Sequence, residues 1–229
     1  MKSHLLIGIG SVLLSAILAP AEATLVTSSA GFTSPTVYNF SAYAGCTSFA
    51  ASCGAPPQTL IGTSIAFTGT PGSTGSALYN GPWGLLANGT WNGSQNGFAG
   101  NNGRTPGDFA RFTFSTGVSS VGGFVNYVPG NFNGGAFTLL AYGSANNLLE
   151  SYNIETLAPI STPSATNAGA FRGITRSSAD IFAFEFQNGV SVLDNLTFSA
   201  GSSVVPEPSL LSLMFAGLLG VAISRRRKA

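Results

Sequence analysis

Two stretches of the chain alternate apolar and polar residues with a period of two. In residues 109–115, Ala110, Phe112 and Phe114 share one face while Arg111, Thr113 and Ser115 share the other. In residues 181–187, Phe182, Phe184 and Phe186 face together, opposite Ala183, Glu185 and Gln187, which places Glu185 on the solvated side. Successive strand side chains point to opposite faces, so this pattern predicts half-buried antiparallel strands. Further strands are expected at residues 62–67, 123–127, 136–142, 148–155 and 190–198. Asn188-Gly189 separates two of these runs, and both residues tolerate positive φ, which predicts a hairpin turn. No segment between the chain ends shows a convincing amphipathic helix. Short strands divided by Gly/Asn turns predict an all-β fold, an antiparallel β-sandwich of jelly-roll type.

Both ends break the pattern. Residues 1–23 have a basic start at Lys2, the apolar run LLIGIGSVLLSAILA, and then Ala21-Glu22-Ala23. Such a run partitions into the membrane and the export channel. The small Ala21 and Ala23 fit the subsites of signal peptidase, so cleavage is expected before Thr24. The alternative is an uncleaved anchor helix, against which the run is short and ends at Pro20. At the other end, residues 209–224 are 16 largely apolar positions followed by Arg225, Arg226, Arg227 and Lys228. As a helix they span roughly 24 Å at 1.5 Å per residue. A single transmembrane helix of that length needs snorkelling arginines or a thinned bilayer. Cations after the span favour a cytoplasmic end, which leaves residues 24–205 outside. The expected division is a signal peptide at 1–23, an exported domain at 24–200 and a sorting segment at 201–229.

Val205-Pro206-Glu207-Pro208, an apolar span and an Arg-rich end, all at the C-terminus of a signal-peptide protein, resemble the PEP-CTERM sorting signal of Gram-negative bacteria. The resemblance covers about 25 residues. It implies handling by an exosortase-like sorting enzyme: retention in the inner membrane, processing near Pro206-Glu207-Pro208, and delivery to the cell surface or extracellular matrix. Such delivery often accompanies exopolysaccharide and biofilm. Tails of this kind also carry an ice-binding label in some families, and nothing else in the sequence supports ice binding. Residues 171–199 resemble the closing hairpin of many PEP-CTERM sandwiches, beginning Phe171-Arg172-Gly173-Ile174 and ending Val192-Leu193-Asp194-Asn195-Leu196. Similar hairpins close lectin-like and carbohydrate-binding modules.

Composition changes the picture mainly by exclusion. Only 7% of the residues are charged, and 30 are glycine. Residues 24–205 hold four arginines (104, 111, 172 and 176) against six acids (108, 150, 155, 180, 185 and 194), a net charge of −2, with no lysine and no histidine. Triads that depend on histidine, His-ligated zinc sites and lysine Schiff-base chemistry are therefore excluded from the domain. Four scattered arginines are too few for a nucleic-acid stripe. A carboxylate-pair hydrolase remains formally open, since it needs only Asp and Glu. Nothing in the spacing of Asp108, Glu150, Glu155, Asp180 and Glu185 brings two of them together, and no enzyme activity is expected.

A few residues outside the tail carry candidate chemistry. Cys46 and Cys53 are the only cysteines, and in an oxidising compartment they are expected to form a structural disulfide. Free or metal-binding thiols are the competing reading. Residues 70–107 are rich in Gly, Asn and Ser and are expected to form long surface loops with a short strand or two. They carry Tyr79 and both tryptophans, Trp83 and Trp91. These rings are either a sugar-stacking platform, as candidate glycan contacts, or plugs for the core beneath their loops. Regular alternation puts Asp194 on the face of Val190, Val192, Leu196 and Phe198. A carboxylate there needs a bulge that turns it outward, a pairing with Arg172 or Arg176, or an edge Ca²⁺ site. Apart from that calcium, no cofactor is expected. The leading expectation is a non-catalytic matrix protein associated with extracellular polysaccharide; the alternative is a lectin-like module with a defined glycan site, calcium-stabilised if Asp194 binds the ion.

Overall fold

The computed structural model describes residues 23–50, 53–71, 75–92 and 97–201. In chain order the first strands are β1 (Ala23–Val26), β2 (Thr36–Tyr38), β3 (Gln58–Thr59), β4 (Ala66–Gly69), β5 (Ser76–Tyr79), β6 (Trp83–Gly84) and β7 (Thr90–Trp91). They are followed by β8 (Phe98–Asn102), β9 (Phe109–Tyr127), β10 (Thr138–Tyr142), β11 (Leu148–Asn153), β12 (Ala170–Arg176), β13 (Ile181–Gln187) and β14 (Val190–Ala200). One short helix, α1 (Ile154–Leu157), follows β11 and is capped by the Asn153 side chain accepting from the Thr156 N–H. The protein is all-β, and every named strand pair is antiparallel.

The 19-residue β9 belongs to two layers. Its residues 109–113 pair with β13 on one side and β4 on the other, in a layer ordered β11-β10-β13-β9-β4-β3. From Val118 onward it pairs with β12 and β14, in a layer ordered β1-β12-β9-β14-β8-β5, with β2 beside the far end of β14. A simple jelly roll has eight strands in two separate sheets; here two larger layers are continuous through one strand. The crossing falls at residues 115–117, where alternation fails and Ser115 and Thr116 are exposed. The register shifts opposite this crossing in both β13 and β14. Gly117 is required there, because a Cβ would lie 2.1 Å from the Ala179 carbonyl oxygen.

The main core lies between the layers. Phe112, Leu139, Phe184 and Phe186 enter from one side, and Val121, Val125, Ile174, Leu193 and Leu196 from the other. Phe112 sits at its centre, with ring centroids 5.5 Å from Phe67, 5.9 Å from Phe40 and 6.4 Å from Phe186. The alternation in 109–115 is as expected: Ala110, Phe112 and Phe114 are buried. Strand 181–187 departs from expectation at its start and at the buried Glu185. A register shift between Ile181 and Ala183 brings Ile181 into the core and leaves Phe182 half-buried. Asn188 and Gly189 both have positive φ, 70° and 61°, as the hairpin requires. The strand expected at 62–67 lies instead at Ala66–Gly69.

A second core covers the outer face of the second layer. Trp83, Leu85, Trp91, Phe98, Val128, Val190 and Val192 cluster there, joined by Phe49, Tyr79, Phe124 and Phe132. The described residues of 70–107 thus form a structured cover rather than long surface loops. They supply β5 and β8 to the sheet and fold the β6–β7 hairpin over it, with Trp83 opposite Trp91. Two buried asparagines tie the cover down. Asn88 Nδ2 donates to Asn126 Oδ1 (3.1 Å), Tyr127 O (2.9 Å) and Ile160 O (3.1 Å), while Asn126 Nδ2 donates to Thr162 Oγ1 (2.9 Å) and Ala168 O (2.6 Å).

Candidate functional site

A cleft with aromatic, amide and aliphatic walls lies at the rim of the second core. It encloses about 150 Å³ and is lined by Phe49, Tyr79, Pro82, Trp83, Asn102 and Val190. Local chemistry positions each wall. Tyr79 ends β5, and the Cys46–Cys53 disulfide closes a loop that docks on the free edge of that strand. The Leu78 N–H donates to Gly54 O at 2.8 Å and the Asn80 N–H to Cys46 O at 2.5 Å, so the loop also blocks edge-to-edge pairing. Phe49 sits within this disulfide loop, 5.4 Å from the Tyr79 ring and 5.7 Å from Trp83.

Trp83 and Trp91 are each only 5% exposed. Phe49 packs against Trp83 at a shallow tilt, and the indole also presses against Gly100, where a Cβ would come within 2.6 Å of the ring. Phe98 meets both indoles edge-on. The tryptophans therefore plug the sheet, as the second of the two sequence readings had it. Trp83 Nε1 is buried and has no hydrogen-bond partner among the described residues. The half-buried Phe49 and Tyr79 remain as the accessible rings of the cleft.

Asp194 sits at a β-bulge. The β14–β9 register shifts between Asp194 and Thr197, and Asn195 has φ 52°. The bulge splits the face that regular alternation predicts. Val190 and Val192 join the second core, while Leu196 and Phe198 pack on the main one. Asp194 lies opposite Phe124, and its carboxylate accepts the Asn195 N–H at 2.6 Å. Burial pushes its pKa up to about 6, against that single hydrogen bond. Neither expected arginine reaches it. Arg172 donates to the carbonyls of Ala158, Phe171 and Pro159, and Arg176 to Asp180 and Glu150. Among the described residues no three acidic, Cys or His side chains gather as metal ligands.

The other acids hold structure. Glu185 is not solvated, as its place opposite the phenylalanine face suggested, but 2% exposed. Arg111 Nε binds it at 2.6 Å and itself stacks on Tyr142, 4.1 Å from the ring centroid. Burial raises the Glu185 pKa, and the Arg111 charge and its hydrogen bond oppose that rise. Burial also acts to raise Asp108, but the Thr105 and Arg104 N–H groups and two hydroxyls outweigh it and hold its carboxyl low. Glu155 accepts from the N–H groups of Gly130, Asn131 and Phe137. One juxtaposition was invisible in the sequence: Glu150 and Asp180 meet on Arg176. A shared guanidinium pairs with both carboxylates and favours their ionised forms, whereas a glycosidase pair needs one acid kept protonated beside an open cleft.

The signal-peptide residue Ala21 and the whole tail lie outside the described residues, including Val205, Pro206, Glu207, Pro208 and the basic run Arg225, Arg226, Arg227 and Lys228. Ala23 and Thr24 begin β1, so the expected cleavage point falls within the first residues of that edge strand. The tail is where comparison with known proteins succeeds. Residues 204–228 match the PEP-CTERM protein-sorting motif. The chain therefore carries the sorting signal of an exported protein handled by an exosortase-type enzyme. No curated protein and no solved structure matches the chain.

Proposed function

We propose that this is a non-catalytic exported protein of the cell surface or extracellular matrix, associated with exopolysaccharide. The observation that carries the reading is the sorting motif at residues 204–228. On this reading signal peptidase removes residues 1–23. The apolar segment then holds the precursor in the inner membrane of a Gram-negative cell, and an exosortase-like enzyme releases the domain. The domain is suited to a hydrated glycan matrix: it is nearly uncharged and rich in hydroxyl and amide side chains. Its carboxylates are occupied in structural contacts, apart from the bulge residue Asp194.

The test is fractionation of a host that carries the sorting enzyme and expresses the full chain. The wild-type protein should appear in the surface or matrix fraction with a shortened C-terminus. A Pro206→Ala, Glu207→Ala, Pro208→Ala variant should accumulate uncut in the inner membrane. Identical distribution of the two overturns the reading.

A second reading, a lectin-like glycan-binding module, draws on the aromatic-rimmed cleft of Phe49, Tyr79 and Asn102. Sugar rings present apolar CH faces to aromatic side chains and hydroxyls to polar neighbours.

A further inference from the structure

Residues 27–35 join β1, at one edge of the second layer, to β2, on the far side of β14, and so cross the outer face of that layer. Phe32 anchors this strap edge-on against Phe171, with ring centroids 5.7 Å apart. Beside the strap lies a cleft of about 200 Å³, distinct from the aromatic-rimmed one, lined by Thr33, Ser119, Ser120, Thr175, Arg176 and Ser177. Under it runs a row of hydroxyls in strand register. Thr175 on β12 faces Ser120 on β9, and Ser120 faces Ser199 on β14. Directly paired residues of antiparallel strands project from the same face of the sheet.

The lining hydroxyls have hydrogen-bonding capacity to spare. Ser120 and Thr175, both in the cleft wall, share one bond of 2.9 Å. Ser199, next to Ser120 in register, is 1% exposed and lies outside the cleft wall. Each hydroxyl carries one donor and two acceptor sites, and a buried one left unpaired is costly. Charge narrows the ligand class further. Arg176 is held by both Asp180 oxygens, at 2.7 and 2.9 Å, and by Glu150, so its charge is already matched and an anion would meet two carboxylates. What remains is a small cleft with no unmatched cation, whose hydroxyl walls both donate and accept hydrogen bonds.

We propose that this cleft is a binding site for one neutral sugar residue, held through its hydroxyl groups by the Thr33 rim and the Thr175–Ser120 pair. The proposal rests on the matrix reading above for the source of the sugar.

The test uses the full chain in detergent micelles, titrated with neutral trisaccharides of glucose, mannose and galactose and with a uronic-acid trisaccharide, and followed by saturation-transfer NMR. At least one neutral sugar should bind saturably, and the uronate at least several-fold more weakly. A Ser120→Val, Thr175→Val double variant should weaken binding about tenfold or more. Thr33→Val, at an exposed strap position that leaves the fold intact, should weaken it several-fold, while Tyr79→Ala in the other cleft should leave it unchanged. The site is overturned if no neutral sugar binds, if both sets of valine variants bind like the wild type, or if only Tyr79→Ala abolishes binding. Co-sedimentation with host matrix polysaccharide that survives the valine variants would overturn this site and leave the matrix association standing.

Discussion

The two cores of this domain are built in different ways. The main core draws most of its side chains from paired strands, with Phe112, Phe184 and Phe186 in successive inward positions, and takes Phe40, Tyr43, Leu60 and Ile160 from the segments between them. The second core is made largely by aromatics borne on short strands and turns, among them Phe49, Trp83 and Trp91. Strand pairing places the first set directly. The second set is placed by a disulfide, a two-residue hairpin and the buried Asn88–Asn126 network. The first arrangement yields a core that must fail as a unit. The second yields a cover with its own attachments, able to open locally while the sandwich persists.

The strongest way to break this contrast is Phe112→Ala. The side chain is fully buried among Phe40, Phe67 and Phe186, so its loss leaves a cavity between the layers. Stability should drop by about 3–5 kcal/mol in chemical denaturation, with one transition monitored at both cores. A second break acts chiefly on the cover, through Phe49, although Cys46 and Cys53 themselves pack at the edge of the main core. Replacing Cys46 and Cys53 together by serine removes the closure of a short loop, about 2.5 kcal/mol in the chain-entropy model. It also frees Phe49 from its place against Trp83. Tryptophan emission should shift to the red and become quenchable by iodide before the far-ultraviolet circular dichroism changes. Simultaneous loss of both signals would refute the independence of the cover.

The smallest effect sharpens the contrast through pH. Asp194 faces the second-core side of the sheet with no counter-cation among the described residues, and its folded pKa is raised to about 6. The unfolded carboxyl titrates near pH 3.9. Above about pH 6 the group is charged in both states, and the cost of its burial is fully present. Between those values the folded chain binds the proton more tightly, so this contribution to stability falls as pH rises through the window. Asp194→Asn should therefore stabilise the domain by on the order of 1–2 kcal/mol at pH 7.5 and by almost nothing at pH 4. Equal stabilisation at the two values would show that the raised pKa does not arise from burial of the charge.

How far each region was legible follows from the same contrast. Residues 109–115 announced their strand because alternation depends only on neighbours two positions away. Asn188-Gly189 announced its turn because positive φ is a local demand. The cover at 70–107 was not legible. Its strands are two to five residues long, too short for a periodic signal, and its glycines and asparagines resemble those of any loop. Gly100, for instance, is there so that Trp83 can lie against the backbone, a requirement set by a residue 17 positions away. Asp194 was partly legible: its conflict with the apolar face signalled an irregularity, and the bulge resolves it. Glu185 was misjudged because only tertiary structure brings Arg111 and Tyr142 over it.

The sequence by itself determined that the chain carries a protein-sorting motif and which residue types its domain lacks. Sorting signals are contiguous and are recognised in extended or membrane-inserted form, and the absence of a residue type needs no fold to be seen. Tertiary structure alone decided which aromatics are buried, which acids are paired and where clefts open. Those properties arise from side chains distant in sequence meeting across strands, where burial and hydrogen bonding depend on every neighbour at once.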